Sequence, residues 1–157
     1  MTPQNWHGIP AFTLENDRVR VVIVPELGAK IASLVDKTAD YEWLAPPTHP
    51  IRARTVGDVF TDHDLNGWDE MFPTIDVCPS PFDPAVSLPD HGEVWALAWE
   101  TIASTADSLT LCVSGRALNY TLTRTVTLLP DGMRLDYTAE NHAEKALPYL
   151  WAAHPLF

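Results

Sequence analysis

The stretch Asn119–Asn141, NYTLTRTVTLLPDGMRLDYTAEN, shows the fold most clearly because its residues alternate with a period of two. Before the Pro130–Gly132 turn, threonines occupy the odd positions, and the even positions carry Tyr120, Leu122, Arg124, Val126 and Leu128. After the turn, Met133, Leu135, Tyr137 and Ala139 alternate with polar residues. A two-residue period indicates half-buried strands, and a short turn between two of them predicts an antiparallel hairpin.

The same reasoning extends to the rest of the chain. The pattern predicts further strands over residues 11–16, 18–26, 30–36, 94–104, 108–115 and 147–154, the last apolar on both faces and therefore covered on both. No helix of convincing length and no internal repeat is visible. Most of the 14 prolines lie in an irregular region of about 45–92, and long irregular segments on a rigid scaffold often carry functional sites. The sequence predicts one all-β domain, 1–157, an antiparallel β-sandwich.

Composition and charge restrict the possible partners. The 157 residues carry 10 Lys and Arg against 21 Asp and Glu, a net charge of -11, which disfavours nucleic acid. No apolar run approaches a membrane span and no signal peptide is visible, so we expect no membrane partner. Cys78 and Cys112 lie far apart, which is typical of reduced thiols in a cytoplasmic protein. Neutral small molecules are the favoured ligands.

One candidate binding segment is Leu65–Ile75, LNGWDEMFPTI, which we expect to form a loop. Trp68 followed by Asp69 and Glu70 suits sugar recognition, because an indole stacks on apolar C–H faces and carboxylates accept hydroxyl hydrogen bonds. The alternative is a loop that tucks Trp68 and Phe72 over the core, with solvated acids beside them.

Two histidines are the other candidates. His91 precedes Gly92 at a predicted loop-to-strand junction, where it could bind a substrate oxygen or transfer a proton; the alternative is a surface residue that caps the strand. His154 lies in an apolar strand, where it is either a satisfied core residue or a proton-transfer group with an environment-sensitive pKa.

Other chemistry has weaker support. Arg124 falls on the apolar face of its strand, so it is paired inside, points into a site, or snorkels outward. His and acidic residues lack metal-ligand spacing, so no metal is predicted. GxSxG, P-loop and GxGxxG motifs are absent from the sequence, and no cofactor is predicted.

Taken in order, five segments resemble the aldose 1-epimerase (galactose mutarotase-like) family. They are FTLENDRVRVVIVPELGAKIASLVDK, GWDEMFPTI, DHGEVW, LTRTVTLLPDGMRLDYTAEN and LPYLWAAHPLF. The resemblance covers essentially the whole chain. It implies the N-terminal half of a supersandwich domain, truncated at its C-terminus.

The resemblance also implies roles. His154 would be the general acid that protonates the pyranose ring oxygen, and His91 would hydrogen-bond the sugar near that oxygen. The family's general base is a glutamate well downstream of the second histidine, so this chain is expected to end before it. DHGE departs from the Leu-His-Gly-Gly of galactose-type enzymes, which leaves the sugar open. The family's binding arginine has only candidate matches, Arg52, Arg54 and Arg124.

Three functions therefore stay open. The first is a sugar isomerase that interconverts anomers, with His154 catalytic and with His91, Trp68, Asp69, Glu70 and Arg124 binding substrate. The second is a non-catalytic carbohydrate-binding domain. The third is an inactive half-domain without the base. For any of them, exposed strand edges predict a homo-oligomer.

Overall fold

The computed structural model describes residues 2–157, with side chains from Gln4 onward, and it is an antiparallel β-sandwich. The thirteen strands are β1 (Thr2–Trp6), β2 (Ile9–Glu15), β3 (Val19–Val24), β4 (Lys30–Asp36), β5 (Tyr41–Glu42), β6 (Trp68–Met71), β7 (Cys78–Pro79), β8 (Ser87–Leu88), β9 (Glu100–Ser104), β10 (Ser108–Ser114), β11 (Tyr120–Leu129), β12 (Gly132–Asn141) and β13 (Ala152–Pro155). Three short 3-10 helices cover Pro25–Leu27, Phe60–Asp62 and Val94–Ala96.

Two sheets form the sandwich. The first has seven strands in the order β1-β2-β3-β4-β6-β13, with β5 added beside β4. The second has four strands in the order β12-β11-β10-β9, and β7 and β8 form a separate small ribbon. No helix in residues 2–157 is long and apolar enough to cross a bilayer.

The predicted hairpin is confirmed. β11 pairs with β12 from Tyr120 opposite Asn141 to Leu129 opposite Gly132. Along β11 the even-numbered side chains are buried and the odd-numbered ones are half-buried, so the threonine face is the outer one. The alternation in the sequence thus reports the inner face of the second sheet directly.

The core lies between the two sheets. Its first-sheet side includes Leu14, Val21 and Ile31, and its second-sheet side includes Leu111 and Val126. A second apolar cluster covers the outer face of the first sheet; its buried members are Ala11, Val22, Val24, Leu27 and Ala32. The first sheet is therefore packed on both faces, as the continuous apolar run of β3 indicates.

The prediction of one strand over residues 94–104 is wrong for its first half. Val94–Ala96 is a 3-10 helix, and a strand begins only at Glu100. Side chains satisfy the carbonyl groups of this segment: Arg54 donates to the Trp95 carbonyl (3.0 Å) and the Trp99 indole donates to that of Val94 (3.0 Å). Because these two carbonyl groups already accept hydrogen bonds from side chains, they do not need a neighbouring strand as a donor.

The prediction for residues 147–154 is also wrong in part. The strand covers only Ala152–Pro155, and Tyr149, Leu150 and Trp151 are exposed rather than covered on both faces. Leu150 is held by a single backbone bond to the Pro73 carbonyl (2.9 Å). β13 lies at the end of the strand order, so nothing among the described residues covers this segment from the far side.

Candidate functional site

His91 and His154, predicted from distant parts of the sequence, lie in contact. Their ring centroids are 5.1 Å apart at an interplanar angle of 75°. Both also pack on Phe60: the His91 ring stacks on it at 4.2 Å and 9°, and the His154 ring meets it edge-on at 5.1 Å. This three-ring cluster of Phe60, His91 and His154 is the centre of the candidate site.

The loop before the 3-10 helix holds His91 in place. His91 has a left-handed backbone (φ 60), and its N–H donates to the Ile75 carbonyl (3.1 Å). The next residue, Gly92, also has positive φ, and a Cβ there would lie 2.2 Å from the Phe72 carbonyl oxygen. Because only glycine permits this approach, the loop is pressed against the end of β6.

The environment of His154 favours the neutral imidazole. Burial lowers the pKa of His154 below 6.5, and neighbouring His91 lowers it further, against an opposing effect from Asp69. Its Nδ1 is buried and has no hydrogen-bond partner among the described residues. At neutral pH the neutral imidazole therefore predominates.

Asp69 lies directly opposite His154 in the β6–β13 pair, but its charge is already neutralised. Lys30 Nζ lies 2.8 Å from Asp64 and 3.0 Å from Asp69, and Arg54 lies 2.8 Å from each of the same carboxylates. All four side chains are almost fully buried. They form an alternating four-charge cluster of Lys30, Arg54, Asp64 and Asp69.

The cluster affects the titration of its members. Burial alone would raise the pKa of Asp64, but Lys30 and Arg54 outweigh it and lower that pKa to about 2. The same two aspartates raise the pKa of Arg54, although burial acts against them. Asp69, which lies 3.0 Å from Lys30 and 2.8 Å from Arg54, therefore offers His154 only a compensated charge.

Glu70 and Arg124 lie on the opposite face of β6, between the two sheets. Arg124 Nη1 donates to Glu70 Oε1 at 3.0 Å, and both side chains are fully buried. Glu70 also accepts hydrogen bonds from the Tyr137 hydroxyl (2.5 Å) and the Trp151 indole (3.0 Å). Burial raises the pKa of Glu70 despite the nearby guanidinium. Of the three alternatives for Arg124, the structure shows the internal pair.

The sequence-predicted residues thus divide between two faces. His91, His154 and Asp69 share the outer face of the first sheet, whereas Glu70 and Arg124 face the core. Trp68 packs half-buried against the same core. Trp68–Met71 is a strand rather than the predicted loop, and the alternation of a strand is what separates Asp69 from Glu70.

Several residues of the site lay outside the sequence predictions. Phe60, which both histidines contact, lies in the irregular region, where no periodicity marks it. Beside it, His63 is buried against the Trp95 ring, with Nε2 3.0 Å from Asp58. Of the missed residues, Lys30 could most readily have been found from the sequence, because it is a lone cation between the apolar stretches of two strands. Within residues 2–157 no group of three His, Cys, Asp or Glu side chains is placed to hold a metal ion.

Solved structures with the same fold place this architecture in a class. A galactose mutarotase-like protein from Lactobacillus casei ATCC 334 matches with a TM-score of 0.71 at 24% identity, over 92% of this chain and 49% of that chain. A galactose mutarotase related enzyme from Lactobacillus acidophilus matches with a TM-score of 0.73 at 16% identity, over 92% and 48%. A proposed aldose 1-epimerase from Escherichia coli K12 gives 0.64 at 17%, over 92% and 50%.

The chain therefore has the galactose mutarotase-like fold, as the five-segment resemblance implies. It spans about half the length of each of these solved structures. No protein-family model matches the sequence, and no curated protein matches it.

Proposed function

We propose that this chain carries the histidine side of an aldose 1-epimerase-related sugar site, in which His154 protonates the ring oxygen of a hexose or a hexose derivative. The contact between the His91 and His154 rings carries the proposal. His91 is the sugar-binding partner, and Phe60 supplies an aromatic surface beside both rings. The sugar binds as a neutral molecule, in keeping with the net charge of -11.

The proposed reaction needs two proton transfers. A base removes the proton of the anomeric hydroxyl at O1, the C1–O5 bond opens, and an acid delivers a proton to O5. With its lowered pKa, His154 is a stronger acid when protonated than an ordinary histidine, and a smaller fraction of it is protonated at neutral pH. The rate through His154 therefore rises as the pH falls from neutral toward the pKa of His154.

The base is proposed to be a carboxylate from outside residues 2–157. Asp69, the carboxylate opposite His154, already has one oxygen 3.0 Å from Lys30 and the other 2.8 Å from Arg54, so neither oxygen is free to contact a sugar hydroxyl. The sugar-binding roles of Trp68, Asp69, Glu70 and Arg124 stay predictions. Their present partners are protein groups, which favours roles in holding β6 and its neighbours.

Anomer exchange tests the catalytic proposal. Exchange of glucose and galactose anomers would be followed by NMR with the wild-type chain, His154→Gln and His142→Gln. His142 is an exposed histidine at the end of β12, so its variant controls for loss of a histidine. Because the base lies outside residues 2–157, the chain is tested for the acid alone: we expect the wild type and His142→Gln to exceed the buffer rate by at most the roughly 10²–10⁴-fold that one acid–base group contributes, and His154→Gln to return to the buffer rate. Unchanged exchange in His154→Gln would remove His154 from the reaction.

A non-catalytic carbohydrate-binding domain is the second candidate. The compensated charge of Asp69 and the neutral His154 favour it, because binding requires hydrogen-bonding groups but no proton transfer. Saturable binding of either sugar by a wild-type chain that does not accelerate exchange would select this function.

We also propose that the chain self-associates, in a reducing compartment such as the cytoplasm. Tyr149, Leu150, Trp151 and Phe157 are large exposed apolar side chains near β13, an end strand of the first sheet. Exposed edges and apolar patches favour pairing with a second copy. Light scattering should show a dimer or larger species for the wild type and a smaller one for Leu150→Glu. A monomeric wild type at micromolar concentration would overturn this part.

A further inference from the structure

The side chain of Glu93 is fully buried, and its carboxylate is satisfied entirely by neutral donors. It accepts hydrogen bonds from the backbone N–H of Arg116 (3.1 and 3.0 Å), from that of Ala117 (3.0 Å) and from the Tyr120 hydroxyl (3.0 Å). Burial and the nearby carboxylate raise the pKa of Tyr120, so its hydroxyl keeps the proton that it donates. Arg116 and Ala117 lie in the connection between β10 and β11, and Tyr120 is the first residue of β11.

The backbone of Glu93 is fixed on its other side by the first sheet. Its N–H donates to the Phe72 carbonyl (2.9 Å), one residue beyond β6, and Gly92 forms a bridge with the same residue. Glu93 therefore ties the end of β6 to the second sheet. His91 lies two residues earlier in this fixed segment.

Holding a loop with a buried carboxylate costs desolvation free energy. An isolated buried charge is strongly unfavourable, and neutral hydrogen bonds only offset that penalty when several converge. A leucine in this position would bury more apolar surface but would leave two backbone N–H groups without an acceptor. A carboxylate instead fixes the orientation of the Glu93 side chain, because its two oxygens accept hydrogen bonds from three donors at once.

We propose that Glu93 is a positioning residue that holds the His91 imidazole against Phe60 and His154 in the sugar site. The proposal rests on the proposed function where it concerns sugar. The position of the His91 ring can be tested independently. The ring stacks on Phe60 at 4.2 Å and 9°, so its protons lie over an aromatic face and are shielded in an NMR spectrum.

The experiment compares three proteins labelled at histidine: the wild type, Glu93→Gln and Val126→Ala. Val126 is a fully buried core residue of β11, so its variant controls for lost stability alone. We expect Glu93→Gln to lose the shielded His91 ring signals and the His91–Phe60 nuclear Overhauser effect, and Val126→Ala to keep both. Affinity for glucose or galactose should fall by about tenfold in Glu93→Gln only, because a displaced His91 ring loses its one hydrogen bond to the sugar.

Intact His91 signals in a folded Glu93→Gln protein would overturn the proposal, as would their equal loss in Val126→Ala. If Glu93→Gln does not fold, Tyr120→Phe removes one of the three donors; it should weaken the His91–Phe60 effect, and an unchanged effect would count against the proposal. If the wild type binds neither sugar, the proposed function fails, while the ring measurements still decide the role of Glu93.

Discussion

The imidazoles of His91 and His154 share one aromatic neighbour, Phe60, although they come from a loop and from an end strand. Each is held differently. His91 depends on a left-handed backbone and a glycine, whereas His154 depends on strand pairing opposite Asp69. Their contact therefore depends on how the loop, β6 and β13 meet.

Replacing Gly92 by alanine should displace the His91 loop. The new Cβ would lie 2.2 Å from the Phe72 carbonyl oxygen, at a backbone conformation unfavourable to alanine. We expect the free energy of unfolding to fall by more than the roughly 1 kcal/mol that positive φ alone costs. Gly8→Ala is the control, since Gly8 has positive φ and no atom within 4 Å of such a Cβ. Equal losses in the two variants, measured by urea unfolding, would show that the close approach is unimportant.

Removing Arg124 should destabilise the fold and not merely a binding site. Arg124→Met leaves the Glu70 carboxylate buried without its cation, which typically costs about 3–5 kcal/mol. Arg134→Met is matched to it, because Arg134 pairs with Asp136 on the exposed side of β12, where such pairs contribute about 0–1 kcal/mol. Urea unfolding of the two variants measures the difference. A stable Arg124→Met protein that has lost only sugar binding would return Arg124 to the site.

The four-charge cluster should make stability fall in strong acid. The pKa of Asp64 is lowered from 3.8 to about 2, so its contribution is present above pH 3.8 and is lost as the pH falls through about 2. Asp64→Asn should be less stable than the wild type near neutral pH and should lose less on acidification. The check is the free energy of unfolding measured between about pH 5 and pH 2. Parallel curves for both proteins would contradict the assignment.

The contribution of His154 to stability should change with pH in the opposite direction to that of a salt-bridged histidine. Because its folded-state pKa is lowered from 6.5, the unfolded chain takes up a proton first, and stability falls as the pH drops from about 6.5 through the folded pKa. His154→Gln should remove this slope. NMR titration of the His154 ring gives the pKa directly. A midpoint at or above 6.5 would mean that a carboxylate, rather than burial and His91, dominates its surroundings.

The sandwich could be predicted from sequence because every second side chain along its strands is buried. β11 is the best example, since the burial of Tyr120, Leu122 and Arg124 follows the alternation residue by residue. β6 could not be predicted this way. Asp69 and Glu70 look like solvated loop residues. In the structure each is buried in an ion pair with a cation from a distant part of the chain, Asp69 with Lys30 and Glu70 with Arg124. Sequence spacing does not reveal such long-range ion pairs.

The candidate site was predicted in part. Their local sequence singled out His91 and His154, the resemblance implied their roles, and the structure places their rings in contact. Phe60 was missed because a single aromatic residue in a proline-rich segment has no periodicity to mark it. Glu93 entered the sequence analysis only as the last residue of DHGE, since its partners Arg116, Ala117 and Tyr120 become neighbours only when the sheets pack.

The most direct test of the central claim, that the three-ring cluster binds a sugar, is the amide NMR spectrum of the chain titrated with glucose and with galactose. The account predicts saturable shifts for at least one of them, centred on Phe60, His91, Gly92 and His154 and lost in His154→Gln. Shifts centred instead on the exposed Tyr149–Trp151 segment, or no saturable shift with either sugar, would contradict it.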